Sequence, residues 1–323
     1  MIHSSLPIHL LKVAASAALF FFLQTSHAKP YAFITNQGAD SLSVIDTADN
    51  RVIKTLKMGS KPSGVAVSGD GRVILVTNPA SKDVTIVDGE RLEVSGRVAV
   101  GEGPLGVAVA PDGKRCYVAD WYQHTVSVID LPARKVVATI PVGKSPSGLA
   151  VSHDGKRVYV ANRDSNSISL IDARKLKVVA TGKVGTHPFG IALDEKKGRL
   201  YAANVISNDI SVVDATTLKP ITKVKVGERP YAIALASGGR RVLVTNQYDD
   251  SVSVIDGKTL KVIDTLDVGE YPEGIAVHPD GRRVYVANWF SNSVSVLDVE
   301  HLKPMATIPT GDGSRAFGQF IAP

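Results

Sequence analysis

A short run ending in aspartate returns every 42 residues along this chain. Ser-Val-Ile-Asp closes at Asp46, Asp130 and Asp256, and close variants end at Asp88, Asp172, Asp214 and Asp298. A second marker keeps the same interval at Asn36, Asn78, Asp120, Asn162, Asn204, Asn246 and Asn288. Self-similarity at this period, in short β-branched runs, marks an array in which each unit buries its apolar face against its neighbours. Seven such units predict an all-β fold, a seven-bladed β-propeller with four-stranded antiparallel blades.

One repeat reads as one blade. Gly106-Val-Ala-Val109 is apolar throughout, as an innermost strand packed round an axis should be. Pro111-Asp112-Gly113 is a turn, and Arg115 to Ala119 is the second strand. Val126 to Asp130 alternates apolar and polar residues and is expected to be buried on one side. Lys135 to Ile140 is the outer strand. The chain ends extend the pattern. Tyr31-Ala-Phe-Ile-Thr35 matches a second strand, and Phe317-Gly-Gln-Phe-Ile321 resembles an innermost one. The C-terminal strand is therefore expected to join the N-terminal three and close the ring. The joining segment before Gly318 is longer than its counterparts, so the seam should be slightly irregular.

The first residues read as an export signal. Lys12 precedes an apolar run, Val13 to Leu23, and Ser26-His27-Ala28 is a small-x-small cleavage site. The run is shorter than the roughly 20 residues a bilayer span needs. The expectation is a signal peptide over 1–28 and a single propeller domain over 29–323, periplasmic or secreted, monomeric, with no transmembrane segment after cleavage. Seven repeats fill 294 of the 295 residues after Ala28. The net charge of +6 permits contact with polyanions without demanding it. Cys116, the only cysteine, excludes an internal disulfide, a haem-attachment motif and a multi-cysteine metal site. Its position matches Val158 and Val284, which predicts a buried apolar role.

Tyr117-Val-Ala-Asp120, Tyr159-Val-Ala-Asn162, Val244-Thr245-Asn246 and Tyr285-Val-Ala-Asn288, with Gly-x-x-Pro-x-Gly and Pro-Asp-Gly elements around them, resemble the Tyr-Val-Thr-Asn repeat. Over residues 31 to 321 the chain is similar to the YVTN-repeat β-propeller family of exported bacterial proteins. The resemblance implies a scaffold that surface proteins, exported binding proteins and helpers of exported redox enzymes share, so it speaks for fold and little for activity.

Seven internal copies separate scaffold from site. The repeated aspartates should cap the turns that follow them, and the repeated asparagines should bond within their own loops. The glycines at 59, 101, 143, 185, 227, 269 and 311 should supply tight backbone. Arginine recurs at 115, 157, 199, 241 and 283 on one face, here the lower. It reads as blade-to-blade pairing, with a basic ring for nucleic acid or another polyanion as the alternative. His153 and His278, in turns of that face, should be solvated.

Residues that do not repeat cluster in two loop sets on the opposite, upper face. The only two tryptophans, Trp121 and Trp289, stand there at equivalent repeat positions, with Tyr122, Tyr248 and Phe290 beside them. The loops leading inward add Lys61, Lys144, His187, Phe189, Arg229, Tyr231, Tyr271, Glu273 and Arg315, and His124 and Arg163 complete the set. Large aromatics ringed by Arg and His suit a mouth for an unknown ligand or protein partner. A metal would need His124 and His187 to converge with a carboxylate such as Asp164, and nothing in the spacing brings them together. No metal and no cofactor are expected. Nucleophile elbows, His-Glu-x-x-His and phosphate-cradling loops are missing, and two tryptophans cannot supply the docking motifs of quinoprotein propellers. The innermost strands carry no inward carboxylate in this reading, which counts against a lactonase-like hydrolase or other periplasmic enzyme. A binding scaffold with no chemistry of its own is the leading expectation.

Overall fold

β-branched runs of six or seven residues, each cut off by a turn, dictate the elements. In the computed structural model, which describes residues 1–2 and 30–322, they form six four-stranded antiparallel sheets and one three-stranded sheet. The expected signal peptide lies outside the described residues, apart from Met1 and Ile2. Among those residues no helix is long and apolar enough to cross a membrane. Blade one holds residues 31–57, and blades two to seven span 65–99, 104–141, 146–183, 188–225, 230–267 and 272–309. In blade three the strands are Pro104–Val109, Arg115–Asp120, Thr125–Asp130 and Lys135–Pro141, close to the sequence reading.

The third strand departs from expectation. It is buried on both sides, because neighbouring blades stack face to face. Its serines are therefore buried too: Ser43, Ser169 and Ser253 are each 2% exposed. A buried hydroxyl is costly unless it is bonded, and the repeated asparagine supplies the bond. Asn162 Nδ2 donates to Ser167 Oγ at 3.2 Å and to Ser169 Oγ at 2.9 Å, and Asn246 and Asn288 do the same two and three blades further on. These asparagines thus bond across the blade and not within their own loops. The glycines follow from this. A Cβ on Gly143 would lie 2.6 Å from Asn162 Cγ, so glycine is required there by close approach. The aspartates cap as expected: Asp172 Oδ1 accepts from Arg174 and Lys175 N–H at 2.9 and 3.0 Å.

The ring closes where the ends meet. Ala32 pairs with Ile321 and Asn36 with Ser314, and Phe33 N–H donates to Phe320 O at 2.9 Å. On its other side the same segment accepts from Val65 and Val67 of blade two. The C-terminal segment thus fills the innermost position of blade one through isolated bridges and not a regular ladder, which is the irregular seam expected. Cys116 is fully buried, and burial pushes its thiol far up.

Candidate functional site

The loops between second and third strands share a face with the loops leading inward, and backbone bonds tie them in each blade. Trp121 N–H donates to Gly103 O at 2.9 Å, Gln247 N–H to Arg229 O at 3.1 Å and Trp289 N–H to Tyr271 O at 3.1 Å. Trp121 and Trp289 line one central cavity of about 310 Å³ with Arg163, Phe189, Arg229, Tyr231, Tyr248, Tyr271, Glu273 and Arg315. The middle is filled by rings. Phe189 stacks on Tyr231 at 4.0 Å between centroids, Phe317 meets Phe189 edge-on at 4.9 Å, and Trp121 leans on Phe189 at 6.1 Å. Phe189 and Tyr231 are buried, so they form the floor of the mouth and not its rim. Below them an apolar axial cavity of about 560 Å³ runs between the innermost strands.

One buried charge pair organises the floor. Glu273 is 1% exposed and binds the Arg315 guanidinium through both oxygens, with a second contact from Gln247 Nε2 at 2.9 Å. Arg315 also donates to Tyr231 Oη at 2.8 Å and lies 4.8 Å over the Trp289 ring. Burial pushes the Glu273 carboxyl up, with Arg315 and Gln247 pulling it back. Burial disfavours the charge on Arg315 as well, yet Glu273 and Tyr231 hold its guanidinium above the usual range. Glu273 is the second residue of an innermost strand, Pro272–Val277, which corrects the expectation that these strands carry no inward carboxylate. The sequence hides it because, although Arg315 stands one 42-residue repeat from Glu273, no other copy carries a charge at that position, where Ser63, Leu105, Ser147, Phe189 and Tyr231 stand instead.

Two further arginines lie on aromatic faces: Arg163 is 5.4 Å from Trp121 and Arg229 is 5.1 Å from Tyr248. Tyr122, Tyr248 and Phe290 stand out into solvent. His124 is exposed in a turn outside the cavity, where its Nδ1 accepts from Ser145 N–H. His187 sits at the edge, 3.8 Å from Asp164, and burial and Arg163 hold its imidazole below the ordinary value. Among the described residues no three His, Cys, Asp or Glu side chains form a group fit for a metal.

On the lower face, arginines reach across to the next blade. Arg199 donates to Gly257 O, and Arg283 donates to Thr47 O across the seam. His278, expected to be solvated, is 5% exposed and wedged between Asp280, Arg283 and Thr47. The line Thr47 Oγ1, His278 Nε2 at 3.1 Å, and His278 Nδ1 to Asp280 at 2.9 Å has the order of a nucleophile, base and orienting acid. Thr47 is fully buried and its hydroxyl donates to Pro30 O, so no substrate can approach it. The arrangement latches the seam.

A family described as YNCE-like beta-propeller matches residues 28–154 and 232–319. A comparison with curated proteins gives no match. Among solved structures, Kuenenia stuttgartiensis hydrazine synthase is similar with a TM-score of 0.76 at 20% identity, covering 88% of this chain and 99% of that one. A functionally unknown protein from Desulfotomaculum acetoxidans DSM 771 gives 0.77 at 14% identity, covering 89% and 99%. The dihydro-heme d1 dehydrogenase NirN in complex with DHE gives 0.68 at 16% identity, covering 88% and 74%. At these identities the likeness is one of fold.

Proposed function

We propose that this chain, which belongs to the YNCE-like beta-propeller family, is an exported binding scaffold that holds its ligand or protein partner in the central cavity of the upper face and does no chemistry of its own. One observation carries the reading. Both tryptophans of the chain, at non-adjacent blades, line the same cavity with three arginines above a floor of packed rings. Every blade needs its repeated residues for geometry, whereas these departures from the repeat converge on one place. Aromatic and arginine side chains are the types that dominate binding energy in desolvated contacts. The lower face favours the polyanion alternative less, because Arg199, Arg241 and Arg283 already have partners within the ring. Export rests on the composition of residues 1–28.

Tryptophan fluorescence tests it. Molecules that copurify with the native protein should quench or shift the emission on return to the stripped protein, since both fluorophores border the cavity. A copurified ligand that binds without changing the emission, and whose affinity survives Trp121→Ala with Trp289→Ala, overturns the assignment.

A further inference from the structure

Where the wall of the central cavity runs out to the upper rim of blades six and seven, it carries a surface of different character. Tyr248 and Phe290 are 56% and 60% exposed, and Tyr271 lies between them at 5.7 and 4.7 Å from their centroids. Four exposed carboxylates interleave with these rings: Glu228, Asp249, Asp250 and Glu270. The backbone fixes the alternation. Tyr248 N–H donates to Glu228 O and Phe290 N–H to Glu270 O, while Asp249 and Asp250 accept from the N–H groups of Glu228 and Tyr271 at 2.6 and 2.8 Å. Elsewhere on this face Glu102 is paired with Lys82, Asp164 with Arg163 and Glu273 with Arg315, while Asp40 and Asp312 stand singly and not among exposed rings. These four enter no ion pair among the described residues. The opposite sector of the same face, by contrast, presents Lys61, Lys82, Lys144 and Arg163 around Tyr122.

We propose that the blade-six and blade-seven sector docks an arginine-bearing polypeptide segment. Charge complementarity and ring geometry point the same way. Unpaired carboxylates beside exposed ring faces attract a cation that can also lie flat on a ring, which guanidinium does better than ammonium. The molecule already makes that contact in this sector, with Arg229 over Tyr248 at 5.1 Å, and Phe290, stacked on Trp289 on one side, stays 60% exposed with no arginine over it. The carboxylates extend over two blades, so one small cation does not span them and a chain of cations does. Tyr248 and Tyr271 are shared with the wall of the central cavity, so this inference extends the proposed binding face outward from it, while Trp121 on blade three takes no part.

The test is fluorescence anisotropy of a labelled octa-arginine peptide with the full chain at about 50 mM salt, where screening is modest. Octa-arginine should bind, octa-lysine several-fold more weakly, and octa-glutamate not at all. Tyr248→Ala with Phe290→Ala should weaken octa-arginine at least about tenfold, while Tyr122→Ala and Trp121→Ala leave it unchanged. If the double aromatic variant loses its fold, Glu228→Gln with Glu270→Gln gives the same readout. Equal binding of octa-arginine and octa-lysine, affinity unchanged in the aromatic variant, or equal loss with Tyr122→Ala overturns the proposal.

Discussion

The two faces of the ring hold arginines of opposite kinds. Those of the lower face recur with the repeat, and Arg199 and Arg283 end on the carbonyl of the neighbouring blade's capped turn. Those of the upper face, Arg163, Arg229 and Arg315, occur once each and lie on aromatic rings around a cavity. The same side chain holds the scaffold together where the repeat supplies it, in five of the seven blades, and it is left to meet other molecules where only one blade supplies it. Net charge alone does not distinguish the two uses.

The largest effect should come from removing the segment that serves both faces. Deleting residues 317–323 takes away buried Phe317, Phe320 and Ile321 and opens a sheet edge. At about 1.5–3 kcal/mol for each buried side chain, the loss should be about 5 kcal/mol or more, read as aggregation or a collapse of the melting temperature. A monomer with an unchanged melting temperature would show that the ring closes without this segment.

Next comes the floor of the upper face. Glu273→Gln leaves Arg315 buried without its counter-charge and should cost about 3–5 kcal/mol in chemical denaturation. A cost below about 1 kcal/mol would mean that the pair is solvated and that the upper floor resembles the lower rim.

Binding sharpens the contrast. Trp121→Ala with Trp289→Ala should cost at least about 2 kcal/mol of affinity for the native ligand, roughly thirtyfold, with little change in melting temperature. The lower-face change Arg199→Ala should do the reverse, lowering stability by about 1 kcal/mol through one lost hydrogen bond and sparing affinity. Should Arg199→Ala abolish binding and added salt mimic it, the functional face is the lower one.

The smallest effect is that of acid on the lower-face latch. Burial, with Arg283, holds the His278 imidazole below its ordinary value, so its contribution to stability is full above about pH 6.5 and fades as pH falls. Burial raises the Asp280 carboxyl, but bonds from Arg283 and Arg282 outweigh it and hold the group at about 2 against 3.8 unfolded. That contribution is present above 3.8 and is lost as pH falls towards about 2. Solvent screening keeps it to no more than about 1 kcal/mol. The advantage of the wild type over Asp280→Asn in melting temperature should vanish across that lower window. An advantage that persists at pH 2 would assign the stability to something other than the carboxylate charge.

Period and residue type made the blade count, the strand order, the aspartate caps and the burial of Cys116 legible from the chain itself, because each depends on contacts that recur in all seven copies or lie within one. The gathering of Trp121, Phe189, Tyr231 and Trp289 on one face was legible for the same reason. What those residues do with one another was not. The sequence placed Trp121 and Trp289 on one face, and only the packed chain brings Phe317 in against Phe189 and Tyr231 to fill the middle. Glu273 looked like a loop residue and His278 like a solvated one. Arg315, one repeat on from Glu273, is a charge that the five earlier copies lack at that position, and Thr47 meets His278 only across the seam. A repeat announces the interactions that every unit makes with its neighbour at a fixed offset. Contacts made once, where the two ends of the chain meet, have no second copy to announce them, and burial of a charge depends on the space that all the blades leave between them.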